Sequence, residues 1–174
     1  MFIKGKKVGL RAMEPSDTDL LYHWENKMEL WSSGQTLAPY SHFNIEQFVR
    51  YSSKDIYEAK QLRLMIKKVN ENLTVGAIDL FEFDPFHLRA GVGVLINNPH
   101  RRKGYAMEAL ELLKQYAFHT LQLHQLFCSI REDNQESISL FKKSNFQITG
   151  KKEDWMWDGT NWKGELFMQL VNTK

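Results

Sequence analysis

The stretch NNPHRRKGYAMEAL, residues 97–110, concentrates residue types that can bind an anion. Arg101, Arg102 and Lys103 lead directly into Gly104, and apolar residues at helical spacing follow at once. The first N–H groups of a helix are unpaired and lie at the positive end of its dipole. Glycine lets a ligand approach the backbone because it has no Cβ. The pattern fits a phosphate cradle, a solvated basic turn or a short nucleic-acid patch.

Composition weighs against the nucleic-acid patch. The 174 residues include 23 basic and 21 acidic side chains, a net charge of +2 that is too balanced for a protein whose main partner is nucleic acid. The one cysteine, Cys128, lies in the apolar stretch QLFCSI and is predicted to be a small buried hydrophobe. The sequence contains no apolar run long enough for a signal peptide or a membrane span. We therefore predict one cytoplasmic domain over residues 1–174, without a membrane or nucleic-acid partner.

The hydrophobic pattern positions the basic stretch between a strand and a helix. Alternating or continuous apolar residues predict strands, and apolar residues at helical spacing predict helices. The predicted strands cover residues 6–14, 61–69, 74–84, 89–96, 125–132, 147–157 and 162–171, and the predicted helices cover roughly 15–26, 44–60, 104–121 and 134–145. The order β-α-α-β-β-β-α-β-α-β-β indicates an α/β fold in which helix 104–121 crosses over between two parallel strands. Phosphate cradles in α/β folds occur at this kind of strand-to-helix junction, which favours the cradle.

Two motifs resemble a known family. RRKGYA is similar to the R/Q-x-x-G-x-G/A signature of the GCN5-related N-acetyltransferases, with Arg101, Gly104 and Ala106 at the three marked positions. DNQESISLFKKSNF resembles the family's N-x-x-[SA]-x-x-[LI]-[YF]-x-K-x-G-F helix. The likeness extends from GLRAMEPSD to the closing WDGTNWKGELFMQL. It is strongest for the branch that contains ribosomal-protein N-terminal acetyltransferases and bacterial spermidine N-acetyltransferases.

The resemblance implies a fold and a co-substrate. The expected fold is a mixed, twisted sheet of about seven strands with about four flanking helices. Strand 89–96 would carry a bulge and splay away from strand 125–132 in a V, and acetyl-coenzyme A would lie in that V. Its predicted binding residues lie at the end of strand 89–96, in the signature and in the second motif: Val94, Leu95, Ile96, Arg101, Arg102, Lys103, Gly104, Tyr105, Ala106, Asn134, Ser137 and Lys143.

The implied chemistry is direct attack of a neutral amine on the thioester carbonyl. A backbone N–H near Val94 or Leu95 would stabilise the developing oxyanion. Many family members have a tyrosine that protonates the departing thiolate, whereas Phe141 stands at that position here. A thiol pKa of about 8.5 makes the thiolate a fair leaving group without an acid. Asn145 replaces a usual glycine, and asparagine is the next-best residue for a left-handed helix end.

The group that deprotonates the amine is less clear from the sequence. The family often has a glutamate on the strand before the signature, and RAGVG has none. Glu82, on the adjoining strand, corresponds to a glutamate of spermidine-acetylating relatives and is the leading candidate. An exposed strand carboxylate is the competing interpretation. Weaker candidates are Glu14, Glu25, Glu29 and Asp79. The six histidines show no metal-ligand spacing, so no metal is expected.

Aromatic and acidic residues fill the segments where the family admits its acceptor, the first helix pair and the C-terminal hairpin. Such residues suit a cationic amine, although core packing and cross-strand pairing explain aromatic residues equally well. The predicted acceptor-binding residues are Glu25, Glu29, Trp31, Tyr40 and Trp155, in the company of Trp24, Trp157, Trp162, Glu153 and Asp154.

The sequence therefore predicts an acetyl-coenzyme A-dependent N-acetyltransferase, acting on a polyamine or another small cationic amine. Acetylation of a ribosomal protein's N-terminus remains an alternative, because a basic protein segment would meet the same acids. An idle acyl-coenzyme A-binding sensor is a third, supported by Phe141 and the missing strand glutamate. A homodimer or higher homo-oligomer is compatible with the resemblance.

Overall fold

A computed structural model describes residues 3–27 and 38–173. The strands are β1 (Ile3–Lys4), β2 (Val8–Ala12), β3 (Leu62–Lys68), β4 (Thr74–Asp84), β5 (Arg89–Ile96), β6 (Gln125–Arg131), β7 (Gln147–Trp157) and β8 (Trp162–Val171). The α-helices are α1 (Thr18–Glu25), α2 (His42–Tyr51), α3 (Ile56–Ala59), α4 (Tyr105–Gln115) and α5 (Gln135–Lys143). Short 3₁₀ turns precede α1 (Pro15–Asp17) and follow β5 (Asn98–His100), and a π-helical turn (Tyr116–Thr120) extends α4.

The strands form one mixed sheet of eight, in the order β1-β2-β3-β4-β5-β6-β8-β7. Among the strands of residues 3–27 and 38–173, only β5 and β6 pair in parallel, and α4 makes the crossover between them, as the sequence predicts. The α/β class and the predicted strands are confirmed, with β1 as an additional short strand. The predicted helix over 44–60 is two helices instead. The break is caused by Asp55, whose side chain caps α3 by accepting from the N–H groups of Tyr57 and Glu58.

The predicted V is present between β5 and β6. Their pairing covers Arg89 to Gly91 on β5 and ends with Gly91 opposite Phe127, while both strands continue for several residues. The bulge lies elsewhere than predicted. Strand β5 keeps regular register with β4 from Gly91 to Ile96, and the register shift falls on β4 between Phe81 and Asp84. Two residues of β4, Glu82 and Phe83, therefore oppose one residue of β5.

Two apolar clusters hold the sheet between its helices. The larger cluster joins α4 and α5 to one face, with Leu10, Ile78, Leu110 and Leu126 fully buried among its members. The smaller cluster packs α1 and α2 on the other face around Trp24 and Met65. Helices α1 and α2 thus cover β2 to β5 on the face opposite α4. Because α1 carries Glu25, a predicted acceptor-binding residue, we call this second face the acceptor face.

Candidate active site

The open part of the V presents backbone groups of β5. Asn97 N–H donates to Val75 O at 2.9 Å, which fixes the phase of the antiparallel β4–β5 ladder. In an antiparallel ladder, every second residue of a strand directs its N–H and C=O to the same neighbouring strand. Leu95, two residues before Asn97, therefore also bonds to β4, and the N–H of Val94 points the other way, toward the V. Strand β6 has stopped pairing by then. Of the two predicted oxyanion donors, Val94 is the one whose N–H faces the V.

A backbone cradle follows at the start of α4. Arg102 has φ +60° and Gly104 has φ +82°, so the chain turns twice through the left-handed region before the helix begins. Among the described residues, the backbone N–H groups of 102–106 have no acceptor. Successive free N–H groups in such turns form an anion-binding concavity. Gly104 keeps the concavity open, because its φ strains any other residue and a Cβ would lie 3.2 Å from Lys7 Nζ.

The three cationic side chains of the signature make contacts within the chain. Arg101 Nε donates to Ile96 O at 3.0 Å and Lys103 Nζ donates to Pro99 O at 3.0 Å, so both brace the loop against its own backbone. Arg102 reaches Glu136 of α5 at 2.7 Å, and this hydrogen bond lowers the pKa of the Glu136 carboxyl. Arg102 and Glu136 are both exposed, so the pair adds little to stability. The loop therefore has a fixed shape and a positive rim.

The contacts that the residues of helix α5 make within the chain are mainly structural. Asn134 caps it by accepting from Ser137 N–H at 3.1 Å. Phe141 is 3% exposed and packs edge-on against Phe146, with ring centroids 5.0 Å apart. Lys143 is exposed. Asn145 has φ +69°, which confirms that asparagine takes the left-handed helix end in place of glycine. The predicted roles of Phe141, Asn134, Ser137 and Lys143 toward acetyl-coenzyme A stay predictions.

An ion cluster lies on the acceptor face beside β5. Arg63 of β3 donates to Asp79 of β4 at 2.7 and 3.1 Å and to Glu25 of α1 at 2.6 Å. Burial would lower the pKa of the Arg63 guanidinium, but Asp79 and Glu25 outweigh it and raise that pKa. The Phe48 ring lies 5.0 Å from the guanidinium. Two carboxylates contact one guanidinium, and each of the three charged side chains is 23–27% exposed.

A row of aromatic rings crosses the same face at the closed end of the V. Phe81 meets Phe127 edge-on with centroids 6.0 Å apart, and Phe127 lies 5.6 Å from Phe167. A Cβ on Gly91 would come within 2.3 Å of the Phe81 ring. The ring therefore occupies the space that a side chain at position 91 would need, and this close approach explains the glycine in the strand.

The two β4 carboxylates occupy different positions along the V. Asp79 is opposite Gly93, next to Val94, and its Oδ2 would be 3.9 Å from a Cβ on Gly93. Glu82 is exposed at the bulge, near the end where β5 and β6 are paired, with φ +48°. Glu82 remains the predicted base, and Asp79 is the carboxylate beside the predicted oxyanion donor.

The predicted acceptor residues are only partly brought together. Glu25 belongs to the Arg63 cluster, and Tyr40 is held beside α1 by two hydrogen bonds between its backbone and the Asn26 side chain. Trp155 lies far along the chain on edge strand β7, 56% exposed, with Lys152 Nζ 4.6 Å from its ring centroid. Glu29 and Trp31 lie outside the described residues.

Three other tryptophans of that region have structural roles. Trp24 is 2% exposed and belongs to the smaller core cluster, as the core-packing interpretation predicts. Trp157 and Trp162 face each other across the β7–β8 hairpin with centroids 5.4 Å apart. They form the cross-strand pair that the competing interpretation predicts.

Sequence reasoning missed Arg63, the aromatic row and Lys7, because each acts through a partner distant in sequence. Of these features, the aromatic row had a local signal in the sequence, because Gly91 within a strand indicates the close approach of another group, here the Phe81 ring. Cys128 is buried, as predicted, and burial raises the pKa of its thiol to about 12. Within residues 3–27 and 38–173, no group of three His, Cys, Asp or Glu side chains could hold a metal ion. None of the helices in that range is long and apolar enough to cross a membrane.

A parallel strand pair that opens beside a backbone N–H, with a helix start suited to an anion at its mouth, is the arrangement expected from the resemblance to N-acetyltransferases. Residues 7–147 match the family described as "Acetyltransferase (GNAT) domain". The chain therefore belongs to the GNAT acetyltransferases, a family that uses acetyl-coenzyme A.

The chain is similar to several spermidine N-acetyltransferases. The chain is 27% identical over 150 residues to spermidine N(1)-acetyltransferase of Escherichia coli K12, covering 83% of this chain and 75% of that protein. It superposes on spermidine N-acetyltransferase of Vibrio cholerae, solved with CoA and spermine, with a TM-score of 0.87, 20% identity and 98% coverage of both chains. A dodecameric structure of the Vibrio cholerae enzyme gives a TM-score of 0.80 at 20% identity, covering 96% of this chain and 95% of that one.

Proposed function

We propose that this N-acetyltransferase moves the acetyl group of acetyl-coenzyme A to a primary amine of a polyamine or a similar small cationic amine. The observation that carries the proposal is the V, which opens beyond Gly91 and Phe127 and leads to the free N–H groups of 102–106. The acceptor assignment is supported by the relatives named for spermidine acetylation and by the two partly exposed carboxylates, Glu25 and Asp79, on the acceptor face.

The cradle suits the pyrophosphate of acetyl-coenzyme A. Free backbone N–H groups, the positive end of α4 and a glycine that cannot be replaced without strain are the features that bind a phosphate closely. The N–H groups of 102–106 would hold the pyrophosphate, and Val94 N–H would donate to the acetyl carbonyl oxygen. The thioester supplies the activated acetyl group.

The acceptor side has two tasks. An alkylammonium has a pKa near 10, so its proton must leave before the nitrogen can attack at neutral pH. We assign this deprotonation to Glu82, which would accept the proton directly or through a water. The carboxylates of Asp79 and Glu25 would attract the cationic acceptor to this face before its amine is deprotonated. Phe141 would border the departing thiolate without protonating it.

The test is an amine panel with thiol release as the readout. Spermidine, spermine, putrescine, amino acids, aminoglycosides and peptides beginning with a ribosomal-protein sequence are compared by kcat/KM. Polyamines should give the highest values by about tenfold or more. Faster acetylation of the peptide α-amine would replace this acceptor with a protein N-terminus. Tight binding of acetyl-coenzyme A without turnover on any amine would support the sensor alternative.

We also propose that the protein is a homo-oligomer in solution, supported by the dodecameric Vibrio cholerae structure. Edge strand β7 is exposed along almost its whole length and carries Ile148, Trp155 and Trp157, each at least 42% exposed. Light scattering after size-exclusion chromatography gives the mass directly, and a monomer at micromolar concentration would contradict the proposal.

A further inference from the structure

The β1–β2 turn lies against the cradle, although it is about a hundred residues away in sequence. Glu108, in the first turn of α4, accepts hydrogen bonds from the backbone N–H groups of Lys6 and Lys7. Gly5 makes this contact feasible, because a Cβ there would come within 2.3 Å of the Glu108 carboxylate. The turn is therefore attached to the helix whose N-terminus forms the cradle.

The backbone of Lys7 is fixed on both sides. Its N–H donates to both Glu108 oxygens at 3.0 and 3.1 Å, and its carbonyl accepts from Val69 N–H at 3.0 Å. The next residue, Val8, is fully buried. The starting point of the Lys7 side chain is thus set by the fold, which reduces the entropy lost when its ammonium binds an anion.

The ammonium of Lys7 is directed at the cradle. Its Nζ donates to Lys103 O at 3.2 Å and lies 3.2 Å from the place where a Cβ on Gly104 would be. An ammonium has three donors, and this contact uses one of them. Among the described residues, no carboxylate forms an ion pair with Lys7, whereas Arg102 in the same region is paired with Glu136. Lys7 therefore brings an unneutralised positive charge to the concavity.

We infer that Lys7 is a coenzyme A-binding residue, whose ammonium contacts the pyrophosphate held by the N–H groups of 102–106. The inference rests on the proposed function, because it assigns a further residue to the same acetyl-coenzyme A site. It also gives a role to the Glu108 contact. A carboxylate in the first turn of α4 would repel the pyrophosphate, and the two N–H groups of the turn offset that charge while they position Lys7.

The experiment compares Lys7→Gln with Lys6→Gln, which removes the same charge from the neighbouring residue of the same turn. Binding of coenzyme A and of 3′-dephospho-coenzyme A is measured by calorimetry at low and high salt. We expect Lys7→Gln to weaken both ligands by about tenfold at low salt. Lys6→Gln should stay within about twofold of the wild type, and Lys7→Arg should recover most of the affinity. The difference should shrink with salt, because the Debye length falls to about 3 Å at 1 M.

The results that would contradict the inference can be told apart. Equal losses for the Lys6 and Lys7 variants would reduce the effect to general electrostatics and overturn the inference. A loss seen with coenzyme A but not with the 3′-dephospho form would assign Lys7 to the 3′-phosphate and overturn the pyrophosphate contact. Unchanged affinity in Lys7→Gln would remove the residue from the site. Failure of the wild-type protein to bind either ligand would instead overturn the proposed function. Chemical denaturation of each variant shows whether the fold is intact.

Discussion

Strand β5 separates two regions that would bind their ligands by different means. Toward β6 and α4, the groups available are backbone N–H groups, those of Val94 and 102–106, positioned by strand register and by two left-handed residues. On the acceptor face the groups are side chains, with Arg63 joining carboxylates from α1 and β4 over a ring from α2. A backbone site tolerates many side chains but depends on the few residues that shape it. The binding properties of a side-chain site change whenever one of its own residues is substituted.

This difference predicts how each region responds to mutation. The backbone cradle should fail when its shape is altered and tolerate most changes of charge around it. The acceptor face should keep binding acetyl-coenzyme A when its residues are changed, while its acceptor preference and its stability change. The predictions below test this division, in order of decreasing effect.

The largest effect is expected at Gly104. Valine at this position should weaken acetyl-coenzyme A binding by at least about 100-fold, because losing two hydrogen bonds to a charged ligand costs about 3 kcal/mol. The φ of +82° adds a strain of roughly 1–2 kcal/mol to the fold. Calorimetry measures the affinity and urea denaturation the stability.

Gly159 provides the matched control for this substitution. It has φ +98° in the β7–β8 turn, and no atom lies within 4 Å of the place where its Cβ would be. Gly159→Val should therefore lose comparable stability and keep full affinity. Equal affinities in the two variants would mean that the cradle does not hold the cofactor.

On the acceptor face, Glu82→Gln should lower kcat by about 100-fold if Glu82 alone is the base. The loss should be partly recovered toward pH 9, where more of the amine is already neutral. A residue that merely attracts the cation would raise KM and leave kcat nearly unchanged. Asp79→Asn is the comparison. If Asp79→Asn reproduces the pH-dependent loss of kcat and Glu82→Gln does not, the base lies beside Val94.

The same difference between a backbone site and a side-chain site explains how much of the structure could be predicted from the sequence. The cradle was predictable because Gly104 and the residues around it form one continuous segment, and the left-handed turns require the glycine that identifies them. The V followed from a parallel crossover and the family resemblance. The bulge was assigned to strand β5 on the family resemblance. In the structure Gly91 makes room for Phe81, a cross-strand contact that single-strand patterns do not record.

The acceptor face was less predictable for the same physical reason. Glu25 suggested a free acid, and only the packing of α1 on β3 shows that Arg63 engages it. For Trp24 the sequence left acceptor contact and core packing open, and the structure shows that it packs in the core with Leu21 and Met65. No local pattern relates residues 25, 63 and 79, so their cluster could not be inferred before the fold was known.

Substitution of Arg63 is expected to have an intermediate effect, and the effect is on the stability of the fold. Arg63→Gln removes the guanidinium that contacts both Glu25 and Asp79, and it should cost about 2 kcal/mol of unfolding free energy. Arg89→Gln is the control, since the exposed Arg89–Asp84 pair at 3.3 Å should contribute under about 0.5 kcal/mol. Urea denaturation measures both. Coenzyme A affinity should be unchanged in Arg63→Gln, and a loss of affinity would contradict the separation of the two regions.

The smallest effect on turnover is expected at Phe141, which lies on α5 in the larger core cluster. Phe141→Tyr adds a hydroxyl to a side chain that is 3% exposed and packed against Phe146. If the hydroxyl reaches the V, it can protonate the thiolate, and kcat should hold or rise by a few fold, most clearly below pH 7. If it stays in the core without a partner, stability should fall by about 1–3 kcal/mol and kcat should not rise. Measuring kcat against pH together with urea denaturation separates the two results. A large fall in kcat with stability and coenzyme A affinity unchanged would show that the ring acts as an apolar wall for the thiolate.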